Sequence, residues 1–338
     1  MRENSMVFVT GGGGFLGKRI CLLLKERGYS VTSFSRRFYP ELEELGIRSV
    51  CGDVSSVEDL EKHMPAAAYA VIHTASHVSL WGKPDEFFRI NVLGTKKILA
   101  CAQRKSVARF IYTSSPSVAF DGRDICGADE EALGYAKTFL SPYPYTKMLA
   151  EKEVLSAKGL AAVALRPHII WGKGDPHFLP RIHQKAKSGR FLQVGSLKNK
   201  VDVIHVDTAA FAHVQAMEQL GPKSTLNGKA YFLGQERPVQ LWPFIDQLLT
   251  SQNLNPYRLR IPLGLAYQAG ALCEKLYQLA GQYRREPPIT RLIALQLAKS
   301  HYFSHERARR DWGYQPKVSI EEGLAQLNGS PAGTKSTS

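Results

Sequence analysis

Residues 7–24, VFVTGGGGFLGKRICLLL, set Gly11, Gly14 and Gly17 between an apolar β-type run and an amphipathic helical one. Few local patterns restrict a fold more. A strand that ends in a glycine turn and feeds a helix aims the first helical N–H groups, and the positive end of the helix dipole, at one point beyond the sheet edge. The first glycine lets the backbone turn with positive φ, the second admits an anionic group close to the backbone, and the third lets the helix pack tightly on the strand. A flexible linker would not be flanked by a buried strand and an apolar helix, so the segment reads as a phosphate-binding turn.

The same alternation continues. MVFVT, SVTSFS, RSVC, YAVIHTA and RFIYTSS read as strands, and FLGKRICLLLKER, SSVEDLEKHM and DEFFRINVLGTKKILACAQR read as the helices between them. Repeated strand–helix–strand units predict a parallel sheet covered on both faces: an α/β, Rossmann-type doubly wound fold over residues 1–170. Ser55, three residues before Glu58, predicts a capping box opening the SSVEDL helix. Beyond residue 170 the pattern becomes irregular and punctuated by prolines, which predicts a smaller, mostly helical C-terminal substrate lobe over 171–327. Residues of about 201–220 are expected to return to the first domain. The stretch NGSPAGTKSTS at 328–338 lacks apolar periodicity and is expected to be a disordered tail. There is no internal repeat.

Composition narrows the classes. A chain of 338 residues that is 44% hydrophobic can bury a large core. Its formal charge of +14 comes from scattered pairs such as Arg36-Arg37 and Arg284-Arg285, with no basic run and no zinc-finger or RNA-binding signature, which argues against nucleic acid as a partner. The five cysteines form no CxxC pair, so reduced thiols are expected and no metal is implied. MRENS lacks the apolar stretch of a signal peptide and no apolar run reaches about 18 residues, so the expectation is a cytoplasmic protein without a transmembrane segment.

The GxxGxxG turn preceded by Thr10 resembles that of the extended short-chain dehydrogenases/reductases, the NAD-dependent epimerase/dehydratase group. GDV at 52–54, HTAS at 73–76, NVLGTKKIL at 91–99, FIYTSS at 110–115 and LRPHIIWGKGD at 165–175 resemble further segments of that family, in its order. The resemblance implies cofactor contacts at Gly11, Gly13, Gly14, Phe15, Leu16 and Gly17. It also implies contacts at Asp53 and Val54 on the adenine side, at Thr74, Ala75 and Ser76 after the fourth strand, at Asn91 on the central helix, and at Pro167 and His168 beside the nicotinamide. Ser115 would hydrogen-bond the substrate oxygen, with Ser114 beside it as a second donor. Members that use NAD carry an acid at the end of the second strand, whereas SVTSFSRR ends in Ser35 followed by Arg36 and Arg37. A carboxylate would repel a 2′-phosphate that a hydroxyl and a guanidinium can bind, so NADPH/NADP+ is expected, with NADH/NAD+ as the alternative.

SPYPYTKMLAE at 141–151 offers two tyrosines before one lysine. Residues four apart stack on one helical face and residues two apart do not, so Tyr143 pairs with Lys147 and Tyr145 does not. Pro144 is compatible with this if Ser141 caps the helix, because the first-turn N–H groups have no intrahelical partner. The pair is also the YxxxK of the resembled family, in which Lys147 would hold the nicotinamide ribose. A neighbouring ammonium favours phenolate, and a drop of about three units from the free phenol would bring Tyr143 near working pH as the group that gives or takes the carbonyl proton.

The second half bears on the substrate. NKVDVIHVDTAAFAH at 199–213 departs from the nucleotide-sugar pattern and resembles the 3β-hydroxysteroid dehydrogenase branch. SPSVAFDGRD, ALRPHIIWGKGDPHFLPR and the stretch from PPITRLIALQ to SIEEGL are similar to the bacterial 2-alkyl-3-oxoalkanoate reductases of long-chain olefin biosynthesis. That similarity implies NADPH-linked reduction of a lipid-like β-keto acid. A sterol or hydroxysteroid dehydrogenase, a nucleotide-sugar epimerase or reductase, and a non-catalytic NADP-sensing protein are the alternatives, the last disfavoured by intact Ser115, Tyr143 and Lys147. Expected partners are a small apolar or lipid-like acid, a second copy in a homodimer, other olefin-pathway enzymes and a peripheral membrane contact. His77, Trp81 and Trp171, with His168, are candidates to neighbour the reacting carbon. IPLGLAYQAGALCEKLYQLAGQY at 261–283 can wall an apolar tunnel, with Leu265 lining it, rest on a membrane surface, or face the core.

The spacing argument predicts that Tyr143→Phe abolishes turnover while cofactor binding persists, and that Tyr145→Phe keeps most activity. NADPH oxidation and cofactor fluorescence titration of both variants check this, and the reverse result would overturn the assignment.

Overall fold

The computed structural model is built outward from β1 (Met6–Thr10), which pairs with β2 (Ser30–Ser35) on one side and β4 (Ala70–His73) on the other. Together with β3 (Arg48–Cys51), β5 (Arg109–Thr113), β6 (Ala161–Pro167) and β7 (Lys229–Leu233), these strands form one sheet in the order β3-β2-β1-β4-β5-β6-β7, every neighbouring pair parallel. The structure describes residues 5–188, 191–254 and 258–328. Strand residues alternate between two cores. Val7, Val9, Ile72 and Leu165 pack with α1 (Phe15–Glu26), while Phe8, Phe34, Val71 and Phe110 pack on the other face. Burial on both faces is why these strands read as nearly continuous apolar runs.

Strand order reverses between β1 and β4, and such a reversal opens a crevice beyond the carboxyl ends of the strands. The glycine turn fills one wall of it. Gly11 has φ 70°, and a Cβ there would meet the Ala75 nitrogen at 2.8 Å. A Cβ on Gly17 would lie 2.1 Å from the Gly11 carbonyl oxygen, so α1 approaches the turn as closely as backbone permits. On the second wall, Thr10 Oγ1 contacts His73 Nδ1 at 2.6 Å, His73 Nε2 contacts Thr95 Oγ1 at 3.0 Å, and Thr95 donates to the Asn91 carbonyl at 2.7 Å. Because the Thr95 proton goes to that carbonyl, His73 must donate from Nε2 and accept from Thr10. Burial holds this imidazole neutral, with its pKa pushed down to about 3, and Lys147 adds to the effect.

α2 (Val57–His63) starts one residue later than its sequence suggests. Asp53 Oδ1 takes both the Ser55 N–H and hydroxyl at 2.7 Å, so Ser56 becomes the cap and accepts from the Asp59 N–H at 3.1 Å. The central helix also differs: a π-helical stretch, Phe88–Gly94, precedes α3 (Thr95–Arg104), and Asn91 lies in the wider turn.

The two units interleave. After α4 (Pro142–Leu155), α5 (Val206–Gln219) packs along α1, where Asp207 pairs with Arg19 and Glu218 with Arg27. β7 then adds the last strand of the main sheet. In return, Ile125–Ala128 leaves the first unit and pairs with His301–Phe303 in a small four-stranded sheet. The rest of the lobe is mainly helical and includes α6 (Leu263–Leu279) and α7 (Arg291–Ala298). The last helix runs through Asn328, and the remainder of the expected tail lies outside the described residues. All five cysteines are free, and no described helix is long and apolar enough to cross a membrane.

Gly17→Ala forces the backbone of α1 away from Gly11 and is expected to lower stability by about 1–3 kcal/mol. A thermal melt checks this, and an unchanged midpoint would show that the turn yields without cost.

Candidate active site

α4 begins where its prolines allow. Ser141 Oγ accepts from the Tyr143 N–H at 3.4 Å, and Pro142 and Pro144 occupy the first turn. Tyr143 and Lys147 both line the cleft, whereas Tyr145 is 45% exposed and packs on Phe139. Lys147 is 2% exposed; its Nζ donates to the Thr113 carbonyl at 2.5 Å and lies 4.1 Å from the Tyr112 ring centroid. Thr113 is itself held by its hydroxyl against His213 Nε2 at 2.8 Å. One helical turn on, Glu151 is fully buried and gripped by Arg166 through Nη2 at 2.5 Å and Nε at 3.0 Å, with the Tyr135 hydroxyl at 2.9 Å. The arginine of the LRP segment therefore braces α4.

The protonation states differ from the expected ones. Burial pushes the Tyr143 phenol up to about 12, with the Ser115 hydrogen bond pulling the other way. The Lys147 amine is pushed down to about 7 by burial, with Glu151 opposing. Desolvation outweighs the attraction of ammonium for phenolate because both groups are removed from water and the amine is directed at Thr113. Tyr143 is thus a protonated phenol at neutral pH.

Ser115 caps a short 3₁₀ turn, Pro116–Ala119. Its Oγ accepts from the Ser117 N–H at 3.2 Å and lies 2.9 Å from Ser117 Oγ, and Ser115 and Tyr143 both line the cleft. Ser114 closes the β5–β6 edge by donating its N–H to the Leu165 carbonyl at 2.6 Å. Its buried Oγ has no partner among the described residues and lines the cleft.

The cleft encloses about 1570 Å³ and runs from the glycine turn to the lobe. Gly11, Gly13, Gly14, Phe15, Leu16 and Gly17 line one end. Ser35, Arg36, Arg37, Asp53 and Val54 follow. Thr74, Ala75, Ser76 and His77 line it as well, as do Ser115, Pro167 and His168. Ser35 Oγ accepts the Gly13 N–H at 3.0 Å, while Arg36 and Arg37 are exposed and have no acidic partner among the described residues. Asp53 is tied to Ser55 and lies 3.6 Å from Arg89. These features fit a dinucleotide: a glycine cradle with no room for a side chain, a helix N-terminus, and an orphaned hydroxyl on Ser114.

Four candidates lie elsewhere. Asn91 is buried behind the wall; its Oδ1 accepts from the Ser76 hydroxyl at 3.0 Å and the His77 N–H at 2.7 Å, and its Nδ2 donates to Thr146 at 3.1 Å. It positions the wall against α4. Trp171 is fully buried against His205 and Phe244, a core residue that does not line the cleft. Trp81 stacks on Tyr283 at 6.0 Å and donates Nε1 to the Gln282 carbonyl at 2.9 Å, so it fastens the wall segment to the lobe. Leu265 is 62% exposed and, like Leu272, Leu276 and Leu279, turns outward instead of lining the cleft.

Other residues were not singled out in advance. Glu151 stands four residues after Lys147, a spacing that was legible, but its partner Arg166 is fifteen residues away across the sheet. Tyr39 covers the glycine turn, its ring 1.9 Å from where a Gly13 Cβ would stand, and nothing local signals that contact. His168 Nε2 lies 2.6 Å from His301 Nδ1, and His301 Nε2 lies 2.9 Å from the Gln296 carbonyl. That carbonyl can only accept, so His301 carries its proton on Nε2 and His168 donates from Nε2.

The model of the 3-beta hydroxysteroid dehydrogenase/isomerase family matches residues 8–263. The chain belongs to this family. Among its relatives is a protein named 2-alkyl-3-oxoalkanoate reductase from Stenotrophomonas maltophilia, 42% identical over 331 residues, covering 96% of this chain and 99% of that one. A protein of the same name from Shewanella oneidensis is 40% identical over 96% of this chain and 86% of its own length. A mouse sterol-4-alpha-carboxylate 3-dehydrogenase, decarboxylating, is 32% identical, covering 94% and 88%. These relatives bear out the resemblance read from the motifs. Among solved structures, an epimerase from Methanothermobacter thermautotrophicus has a TM-score of 0.75 at 20% identity, covering 97% of this chain and 92% of that one. A Thermus thermophilus UDP-glucose 4-epimerase in complex with NAD has a TM-score of 0.70 at 19% identity, covering 96% and 100%. Both share the fold. As a member of the 3-beta hydroxysteroid dehydrogenase/isomerase family, the chain is a nicotinamide-dependent oxidoreductase of carbonyl and carbinol groups.

Burial of Lys147 has a consequence for stability. Its folded pKa lies below its unfolded one, so the unfolded chain holds the extra proton and stability rises with pH between the two values. From about pH 7 to pH 10 the ligand-free chain is expected to gain on the order of 4 kcal/mol relative to Lys147→Met. Urea unfolding of both proteins across that range measures the difference; parallel pH curves would show that the amine stays solvated.

Proposed function

We propose that the protein reduces the 3-oxo group of a long-chain 2-alkyl-3-oxoalkanoate to the 3-hydroxy acid, with NADPH as reductant and Tyr143 as general acid. The observation that carries this reading is the placement of Tyr143, one helical turn from Lys147, in a cleft that Ser115 and both apolar and basic side chains also line. Ile169, Phe178 and Leu292 line the cleft, as do Lys173 and His177. Such a lining suits alkyl chains attached to a carboxylate. The two bacterial relatives named for this activity, both matched over most of their length, support the same reading.

When bound, the cofactor supplies the hydride. The chain supplies the proton: Tyr143 donates its phenolic hydrogen to the carbonyl oxygen as negative charge develops there, and the Ser115 hydroxyl stabilises the same oxygen. Lys147, poised near neutrality, stabilises the phenolate left behind. Lys173 holds the substrate carboxylate. Arg36 and Arg37, free of acidic partners among the described residues, favour a 2′-phosphate, and Ser35 can still donate its hydroxyl hydrogen after accepting from Gly13.

Steady-state assays of the purified chain with NADPH and NADH test the proposal, using 2-alkyl-3-oxoalkanoates of increasing chain length, a ketosteroid and a UDP-sugar. NADPH should be favoured by about tenfold or more, and Arg36→Ala with Arg37→Ala should narrow the gap by raising KM for NADPH. kcat/KM should rise with chain length, each buried CH₂ contributing about 0.8 kcal/mol until the pocket is full, and Phe178→Asp should penalise long substrates most. Efficient use of UDP-sugars, a preference for the ketosteroid, or indifference to chain length would overturn the substrate assignment.

A further inference from the structure

α6 docks on the lobe through a narrow face. Ala266, Gly270 and Glu274 are buried, and a Cβ on Gly270 would lie 2.7 Å from the Arg291 nitrogen, so α6 meets the start of α7 backbone to backbone. At 100° per residue, Leu265, Leu272, Leu276 and Leu279 fall within an arc of about 60° pointing away from that face. Their exposures are 62%, 60%, 55% and 77%. Soluble chains seldom present so continuous an apolar ridge without an occupant.

The charges around the ridge identify the occupant. The segment from Leu263 to Glu286 holds two acids, and both are neutralised: Glu274 by Arg291 at 2.7 Å and Glu286 by Arg181. Lys275, Arg284 and Arg285 are exposed and have no acidic partner among the described residues. An apolar ridge bordered by unpaired cations matches acyl chains beneath anionic headgroups. A second copy of this chain would set the same cations against one another on a molecule whose formal charge is already +14. The ridge also leads toward the cleft. Trp81 is fastened to Tyr283 and Gln282 just beyond α6, and Val78, Ser79 and Leu80, immediately before it, line the cleft wall.

We infer that α6 seats the protein on the surface of an anionic lipid bilayer, its leucine ridge in the acyl boundary and Lys275, Arg284 and Arg285 at the headgroups. This rests on the ridge and its charges and stands whether or not the substrate is a 2-alkyl-3-oxoalkanoate. Flotation of the full-length chain with vesicles of phosphatidylcholine alone, or containing about a third phosphatidylglycerol, tests it without any substrate. Binding to the anionic vesicles should exceed binding to the neutral ones by about tenfold or more and weaken with salt. Leu272→Gln with Leu276→Gln should lower binding to both by about tenfold or more. Arg284→Gln with Arg285→Gln should remove most of the anionic preference. Cofactor fluorescence titration verifies that both variants remain folded. Failure to float with anionic vesicles, or leucine variants that bind like the parent, would overturn the inference. So would sedimentation velocity revealing a dimer that the leucine variants dissociate, which would assign the ridge to a second copy.

Discussion

The site depends on one buried amine. Lys147 ends against the Thr113 carbonyl at the last residue of β5, with the Tyr112 ring beside it, and this contact joins α4 to the sheet. A lysine there is costly to desolvate, and the surroundings answer with geometry rather than a direct counter-ion. Glu151, one turn on, is committed to Arg166 and acts on the amine only at a distance. Arg166 belongs to β6, so the same pair ties α4 to the next strand. Tyr143, Ser115 and Lys147 keep their relative positions because the helix bearing two of them is pinned to both strands that end at the site.

Tyr143 and Lys147 both shift toward neutrality, the phenol upward and the amine downward, because burial disfavours the charged form of each.

Legibility followed the range of the forces involved. The glycine turn, the alternating strands and the Tyr143–Lys147 spacing are local consequences of backbone geometry and helical period, and each reads directly from neighbouring residues. Ser55 was misjudged because a carboxylate two residues back captured its donors, a competition that capping patterns do not encode. Asn91, Trp81 and Trp171 stand in segments that border the cleft, but which way each side chain turns is decided by partners up to about two hundred residues away in sequence, such as Gln282 for Trp81. The expected fall in the Tyr143 pKa failed for a related reason: proximity to an ammonium is visible in the spacing, and the extent of burial is not.

The lobe owes its position to the same kind of long-range polar contact. Buried Asp202 accepts the Phe303 N–H at 2.8 Å and contacts His305 Nε2 at 3.2 Å, while His301, two residues earlier, meets His168 at the cleft wall. One short strand therefore joins the lobe's own sheet to a residue lining the cleft. Burial keeps His168 and His301 neutral, and with protons assigned along the chain from the Gln296 carbonyl, His168 is left with only Nδ1 unprotonated. A neutral imidazole so fixed can accept a hydrogen bond in the cleft but cannot supply a positive charge there. The positive side chains that line the cleft are instead lysines and arginines such as Lys173 and Arg181.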